Sequence, residues 1–301
     1  MKKDKIISFL KIFILIIVLT SLVVFIVEEG KYVVILTQLS PQGSRQMMGY
    51  ILKTADGKVI AIDSGTKDDT VNLIKNINEN GGKVDYWFLT HAHDDHVGAF
   101  TNIVNNTDIP IGKIYVSVNE LSWYEENEPE RKEFTKEFLE TLQNERIKDD
   151  VIEPKIGNKI DISENIKAEI LKIKSPEITE NPGNEQSMVI KFYIGNATML
   201  ILGDTGINSS KYLLENQKDK LKSDIVQMAH HGQNGATKEL YEQINPKICL
   251  WPTPEWLWNN DPGTGYNTGT WKTLETREWM EELKVNRNYV AKDGDIKIKI
   301  K

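Results

Sequence analysis

Leu89-Thr90-His91-Ala92-His93-Asp94-Asp95-His96-Val97-Gly98 places three of the chain's five histidines within six positions. The apolar run Val84 to Thr90 before it reads as a buried strand, and Gly98-Ala99-Phe100 follows, so the histidines sit on a strand-to-helix loop. Imidazole and carboxylate are the ligands that divalent transition metals prefer. A loop can converge four such side chains without helical spacing. The bland alternative is a polar loop whose histidines are merely satisfied, and the scarcity of histidine elsewhere weighs against it. The single cysteine, Cys249, excludes an intrachain disulfide framework and any Cys-based zinc finger, and its strand-like setting reads as buried.

Outward from this loop, the 301 residues carry a net charge of −7 and are 40% hydrophobic. That describes an acidic globular body and excludes both disorder and a protein that coats nucleic acid through a basic surface. Ile6 to Val27 is apolar except for Lys11. About 20 such residues span a bilayer as a helix. Lys2, Lys3, Lys5 and Lys11 precede or open the run, so the positive-inside rule sends the body outward. The expectation is residues 1–29 as an uncleaved single-pass membrane anchor, with a cleaved signal peptide as the alternative, and residues 30–301 as an extracytoplasmic catalytic domain. Removing four Lys and three acids with the anchor leaves 33 basic against 41 acidic residues, a body of net −8.

The body alternates strands and helices. Strands are expected at 32–36, 49–53, 59–62, 84–90 and 114–118, with a helix over 69–77 that buries Val71, Ile74 and Ile77. One amphipathic surface helix is expected within the charged stretch 125–150, on Phe134, Phe138, Leu139 and Leu142. Strands return at 168–173, 188–194, 198–202, 224–228 and 246–251, with helices over 209–221 and 271–283. Strands then helices, given twice, predict an α/β fold of two sheets packed face to face with helices outside.

His-x-His-x-Asp-His after an apolar strand resembles the signature of the metallo-β-lactamase superfamily. Ile62-Asp63-Ser64-Gly65, Leu202-Gly203-Asp204-Thr205-Gly206 and Ala229-His230-His231-Gly232 resemble its other motifs, in order, across residues 32–300. The resemblance implies an αββα sandwich. It implies one or two divalent metal ions, Zn or Mn. His91, His93 and Asp204 would hold the first, and Asp95, His96, His231 and Asp204 the second, with Asp63 bracing the metal loop. His231 is favoured as the ligand, His230 being the alternative. His230 otherwise serves as an acid or as a contact to an anionic group, and Asp95 orients the attacking water.

One departure matters. Such proteins usually supply another histidine between the first motif and Gly-Asp, and this chain has none between residues 97 and 229. The metallo-β-lactamase domain of the DNA-uptake competence proteins shares that absence. Its Asn-x-x-Ser strand entry resembles Asn184-Glu185-Gln186-Ser187, which makes Ser187 a candidate substrate contact. With one candidate span, the chain implies no membrane channel.

Metal-assisted hydrolysis follows from the resemblance, and the bridging Asp204 favours a phosphodiester substrate, nucleic acid among them, over an antibiotic. The alternatives are a phosphorylcholine-esterase-like hydrolase, a lactonase or thioesterase, and a metal-poor binding module without catalysis. Five of the seven tryptophans fall between Trp251 and Trp279. Trp256 and Trp258, among loop residues, are candidates for a substrate-stacking wall.

Overall fold

A computed structural model describes Lys11, residues 13–17 and residues 34–301. Most of the expected membrane segment lies outside the described residues, and among these no helix is long and apolar enough to cross a membrane. Two seven-stranded sheets make the body. The first holds β1 (Val34–Gln38), β2 (Gly49–Lys53), β3 (Val59–Asp63), β4 (Val84–Leu89), β5 (Ile111–Val116), β6 (Val151–Ile152) and, beyond β1, the C-terminal β14 (Ile296–Ile300). The second holds β7 (Lys159–Ser163), β8 (Ile166–Lys172), β9 (Val189–Ile194), β10 (Ala197–Ile201), β11 (Ile225–Gln227), β12 (Ile248–Trp251) and β13 (Arg287–Val290).

Each sheet changes character at its middle. β3 pairs antiparallel with β2 and parallel with β4. β10 pairs antiparallel with β9 and parallel with β11. Residues at the carboxyl ends of β3, β4, β10 and β11 therefore meet at one rim, where open sheets of this kind commonly hold ligands. The four ends carry Asp63, His91 to His96, Asp204, and His230 with His231.

Leu36, Tyr50, Ile60, Phe88, Ile190, Phe192 and Ile201 fill the space between the sheets. A second core seals the first sheet under α1 (Thr70–Glu79), α2 (Asp94–Asn106), α3 (Leu121–Asn127) and α4 (Lys132–Leu142), with Trp87 edge-on to Phe100 at 4.9 Å. A third covers the other sheet, under α6 (Ile207–Asn216), α7 (Lys218–Leu221), α8 (Lys238–Ile244) and α10 (Thr273–Glu282). The short α5 (Pro182–Glu185) and α9 (Glu255–Trp258) lie in loops at the rim. The layers are αββα, as expected, and the central strand β3 is buried throughout because both its faces are covered.

Three local expectations are corrected. In α1 the inward residues are Leu73 and Ile77, one turn apart, whereas Val71 is 79% exposed. Two positions before Leu73 lies the opposite side of a 3.6-residue helix. The single helix expected within 125–150 is two, α3 and α4, separated at Glu128-Pro129, because proline disfavours helical backbone before it. The helix expected over 209–221 breaks at Gln217 into α6 and α7.

Candidate metal centre

Asp63 ends β3 in left-handed backbone, φ 49°, and is fully buried. Its Oδ1 accepts the Thr90 N–H at 2.7 Å and its Oδ2 the Thr90 hydroxyl at 2.7 Å. Oδ2 also lies 2.6 Å from His96 Nδ1. A carboxylate there keeps the ring's proton on Nδ1 and leaves Nε2 as the ligand atom.

His96 Nε2 faces Asp204 Oδ1 at 3.2 Å and His231 Nε2 at 3.3 Å. His231 Nε2 is 3.2 Å from Asp95 Oδ2 and 3.5 Å from Asp204 Oδ2, while its Nδ1 donates to the Pro252 carbonyl at 2.9 Å. His91 Nε2 is 3.9 Å from Asp204 Oδ2. Two donor groups result, His91 with His96 and Asp204, and Asp95 with His96 and His231, each with ligand atoms within 4.8 Å of one another.

Backbone geometry serves this convergence. His230 and His231 are consecutive left-handed residues, φ 50° and 55°, an arrangement that non-glycine residues adopt at a cost and that gathers at functional sites. Gly203, φ 58°, lets the chain pass Ser187, whose Oγ would lie 2.8 Å from an added Cβ. Gln227 accepts the N–H groups of Leu202 and Gly203, both at 2.8 Å, and so fixes the turn that carries Asp204.

Burial disfavours charge on every group here, and the partners decide the outcome. Burial depresses His91, helped by the charges of His96 and His93. Against burial, Asp204 and Asp63 raise His96 well above the ordinary histidine value. Likewise Asp204 and Asp95 raise His231 to about 9. Against the same penalty, His96 and His231 hold Asp95 and Asp204 well below the usual carboxylate range. Two buried atoms of this cluster, His91 Nε2 and Asp204 Oδ1, lack a well-directed hydrogen bond, although His96 Nε2 stands 3.2 Å from the latter. An imidazole and carboxylate cluster that leaves such atoms unsatisfied fits a divalent cation.

His231, not His230, is drawn into the cluster. His230 stands at its edge, Nε2 4.0 Å from Asp204 Oδ2, and lines a cavity of about 670 Å³ with Asn181, Gln233, Lys272 and Trp279. Its Nδ1 donates to the Asn234 carbonyl at 2.9 Å, so Nε2 is an acceptor, and burial lowers its pKa. The acid role expected of it is therefore not set up in this state, since Nε2 carries no proton to give.

Two further expectations are corrected. Ser187 is fully buried, and its Oγ accepts the Asp204 N–H at 2.9 Å and lies 3.3 Å from His91 Nδ1. It positions two other residues and is shut off from substrate. Trp258 packs edge-on to Trp251 at 5.2 Å and lies under the Arg277 guanidinium at 4.1 Å, which commits its ring to the third core. Trp256 does border open space, a shallow cavity of about 800 Å³ with Ser44, Asn259, Asp261 and Trp271.

His93 belongs to neither donor group by its Nε2, which lies 3.0 and 3.2 Å from the carboxylate of Glu128, while its ring packs 4.5 Å from that of His91. Sequence reasoning missed Glu128 by reading it as part of a solvated charge run. The signal was Pro129, which ends the helix and turns the preceding residue inward. Gln46 was also missed. Its amide donates to Asp95 Oδ2 at 2.9 Å and accepts from Gln233 at 3.1 Å.

Comparison with known proteins agrees with this fold. ComE operon protein 3 of Bacillus subtilis (strain 168) is 23% identical over 172 residues, 56% of this chain but only 20% of that protein. Igni18, a metallo hydrolase from Ignicoccus hospitalis KIN4/I, superimposes with a TM-score of 0.50 at 14% identity, covering 89% of this chain and all of that one. CmlA, a diiron β-hydroxylase from Streptomyces venezuelae, gives 0.54 at 9% identity over 89% of this chain and 54% of its own. The family model of the metallo-β-lactamase superfamily matches residues 48–286. With that match running from β2 to the threshold of β13, the chain belongs to the metallo-β-lactamase superfamily, as a metal-dependent hydrolase.

Proposed function

We propose that the centre hydrolyses phosphodiesters, nucleic acid among them, with one or two divalent ions, Zn²⁺ or Mn²⁺. His91, His93, Asp95, His96, Asp204 and His231 would hold the ions. The observation that carries this reading is the position of Asp204. Its Oδ1 lies 3.2 Å from His96 Nε2, and its Oδ2 lies 3.5 Å from His231 Nε2 and 3.9 Å from His91 Nε2. One buried carboxylate thus faces both donor groups. Divalent ions held there would supply an acidified water and positive charge to offset the negative charge developing at a phosphodiester.

The chain's own residues do the rest. Asp95, charged and held by Gln46, orients the attacking water. Asp63 keeps the His96 proton on Nδ1. His230, held between Asn184 and the Asn234 carbonyl, lines the cavity beside the centre. Trp256 offers an aromatic face to the shallow cavity it borders with Ser44. The resemblance of Asn184 to Ser187 to the competence-protein motif supports nucleic acid as substrate. The run Ile6 to Val27 and the lysines before it support a single-pass anchor with the body outside the cytoplasm.

Turnover of bis-p-nitrophenyl phosphate tests the reading. Purified chain, stripped of metal and given Mn²⁺ or Zn²⁺, is expected to regain turnover, and Asp204→Asn to lose it. A folded chain that binds either ion yet turns over no phosphodiester moves the assignment to carbonyl substrates such as lactones and thioesters.

A further inference from the structure

We propose that Asn184 supplies an oxygen ligand, Oδ1, to the first metal position, beside His91 and Asp204, in a chain that has no histidine between residues 97 and 229. The inference rests on the metal reading above and adds a residue to it.

Neighbouring contacts fix which way the Asn184 amide points. His230 Nδ1 lies 2.9 Å from the carbonyl of Asn234, which can only accept, so the ring's proton is on Nδ1. Nε2 is then an acceptor, and Asn184 Nδ2 donates to it at 3.3 Å. The second Nδ2 proton goes to Asn181 Oδ1 at 2.7 Å. Both donors of the amide are thus used on one side, and Oδ1 faces the other. That oxygen is buried with no hydrogen-bond partner, on a residue 7% exposed. A buried carbonyl oxygen without a donor is costly unless a ligand satisfies it.

The company it keeps says which ligand. Among the described residues, eight buried side-chain polar atoms lack a partner, and three of them are Asn184 Oδ1, His91 Nε2 and Asp204 Oδ1. The turn that carries Asn184 is wrapped around the same group. An added Cβ on Gly183, one residue before, would lie 2.2 Å from His93 Nε2. Ser187, three residues after, lies 3.3 Å from His91 Nδ1 and accepts the Asp204 N–H at 2.9 Å. His230, which accepts the Asn184 N–H, stands 4.0 Å from Asp204 Oδ2. Unsatisfied imidazole nitrogen and carboxylate oxygen, with an unsatisfied amide oxygen on the turn beside them, suit a cation. Exchanging imidazole for an amide oxygen makes that position harder and favours Mn²⁺ over Zn²⁺.

Metal titration of the full, metal-stripped chain by calorimetry, with Mn²⁺ electron paramagnetic resonance, tests this without reference to turnover. Wild type is expected to take two Mn²⁺. Asn184→Ala should weaken one of them by roughly tenfold or more and leave the other unchanged. Asn184→Asp, which keeps an oxygen there, should hold both, and it guards against misfolding of the alanine variant. Asn184→His should shift the weaker position towards Zn²⁺. Asn184→Ala that binds both Mn²⁺ with wild-type affinity overturns the proposal, whatever happens to its melting temperature. Wild type that takes one Mn²⁺, unaltered by Asn184→Ala, overturns it too. Wild type that binds no divalent ion overturns the metal reading itself, and this inference with it.

Discussion

Glu128 meets His93 Nε2 with both carboxylate oxygens, at 3.0 and 3.2 Å. Burial opposes its charge, yet the hydrogen bond and charge of His93, the nearby Arg131 and the Gly183 N–H hold its pKa below the ordinary value. A carboxylate on one ring nitrogen keeps the proton there and leaves Nδ1 as the lone pair for a ligand, the arrangement typical of metal-bound histidines. Glu128→Ala is therefore expected to weaken divalent binding by roughly 10–100-fold with the fold intact, and Glu128→Gln, still an acceptor, by less. Calorimetric titration reads both. Equal affinity in Glu128→Ala and wild type would reduce the pair to packing.

Gly183 guards that pair. An added Cβ would lie 2.2 Å from both His93 Nε2 and Glu128 Oε2, closer than any real contact, so one of them must move. Gly183→Ala should cost metal affinity about as much as Glu128→Ala. Because both changes break one contact, the double variant should lose little more than either single one, a non-additivity that a double-mutant cycle measures. Fully additive losses would show that Gly183 acts elsewhere.

Much of this was legible in the sequence, and the gaps have physical causes. β3, β4, β9, β10 and β11 are largely apolar, Asp85 and Lys191 aside, because both faces of each sheet are covered, and such runs announce themselves. The residues of the rim follow them directly, so the ligand loops were legible with the strands. The edge strands were not. β6 is two residues long, and β14, Ile296-Lys-Ile-Lys-Ile, alternates with charge because one side of it meets solvent. Side-chain direction was the harder matter. Ser187 belongs to a motif beside the metal loop, but only three-dimensional packing shows that its hydroxyl is spent on Asp204 and His91. Glu128 lies in a charge run, and only the break at Pro129 turns it inward.

Glu169 on β8 ties the second sheet to the helix beside it. Its Oε2 accepts the Tyr193 hydroxyl at 2.9 Å and its Oε1 the Lys220 ammonium at 2.7 Å, and the residue is 3% exposed. Burial opposes its charge, but Lys220 and Tyr193 outweigh it and lower its pKa. A carboxyl with a folded pKa below the unfolded value, about 4.3, stabilises the fold above that pH and stops doing so as pH falls through the folded value. The melting temperature of wild type should thus exceed that of Glu169→Gln at neutral pH, and the gap should close in acid below the usual carboxylate range. A gap that stays constant from pH 7 to pH 3 would count against the ionised pair.

Trp256 and Trp258 sit two positions apart on α9 and do different work. Trp258 is clamped between Trp251 at 5.2 Å and the Arg277 guanidinium at 4.1 Å. Removing its ring opens a partly buried hole and ends the cation–π contact, on the order of 2 kcal/mol in stability. Trp256 packs edge-on to Trp271 at 4.8 Å, donates its Nε1–H to the Ser44 carbonyl at 2.9 Å, and keeps part of its ring towards the shallow cavity. Ser44 lies two residues before Gln46, which holds Asp95, so this wall and the metal loop share a strut. Trp258→Ala is expected to lower the melting temperature and leave KM for an aryl phosphodiester unchanged. Trp256→Ala should raise KM several-fold, because a stacking face is worth roughly 1–3 kcal/mol to an aromatic ligand, and should also cost some stability through the lost Trp271 packing. The two effects exchanged between the variants, or KM unmoved in both, would strip Trp256 of its part in substrate binding.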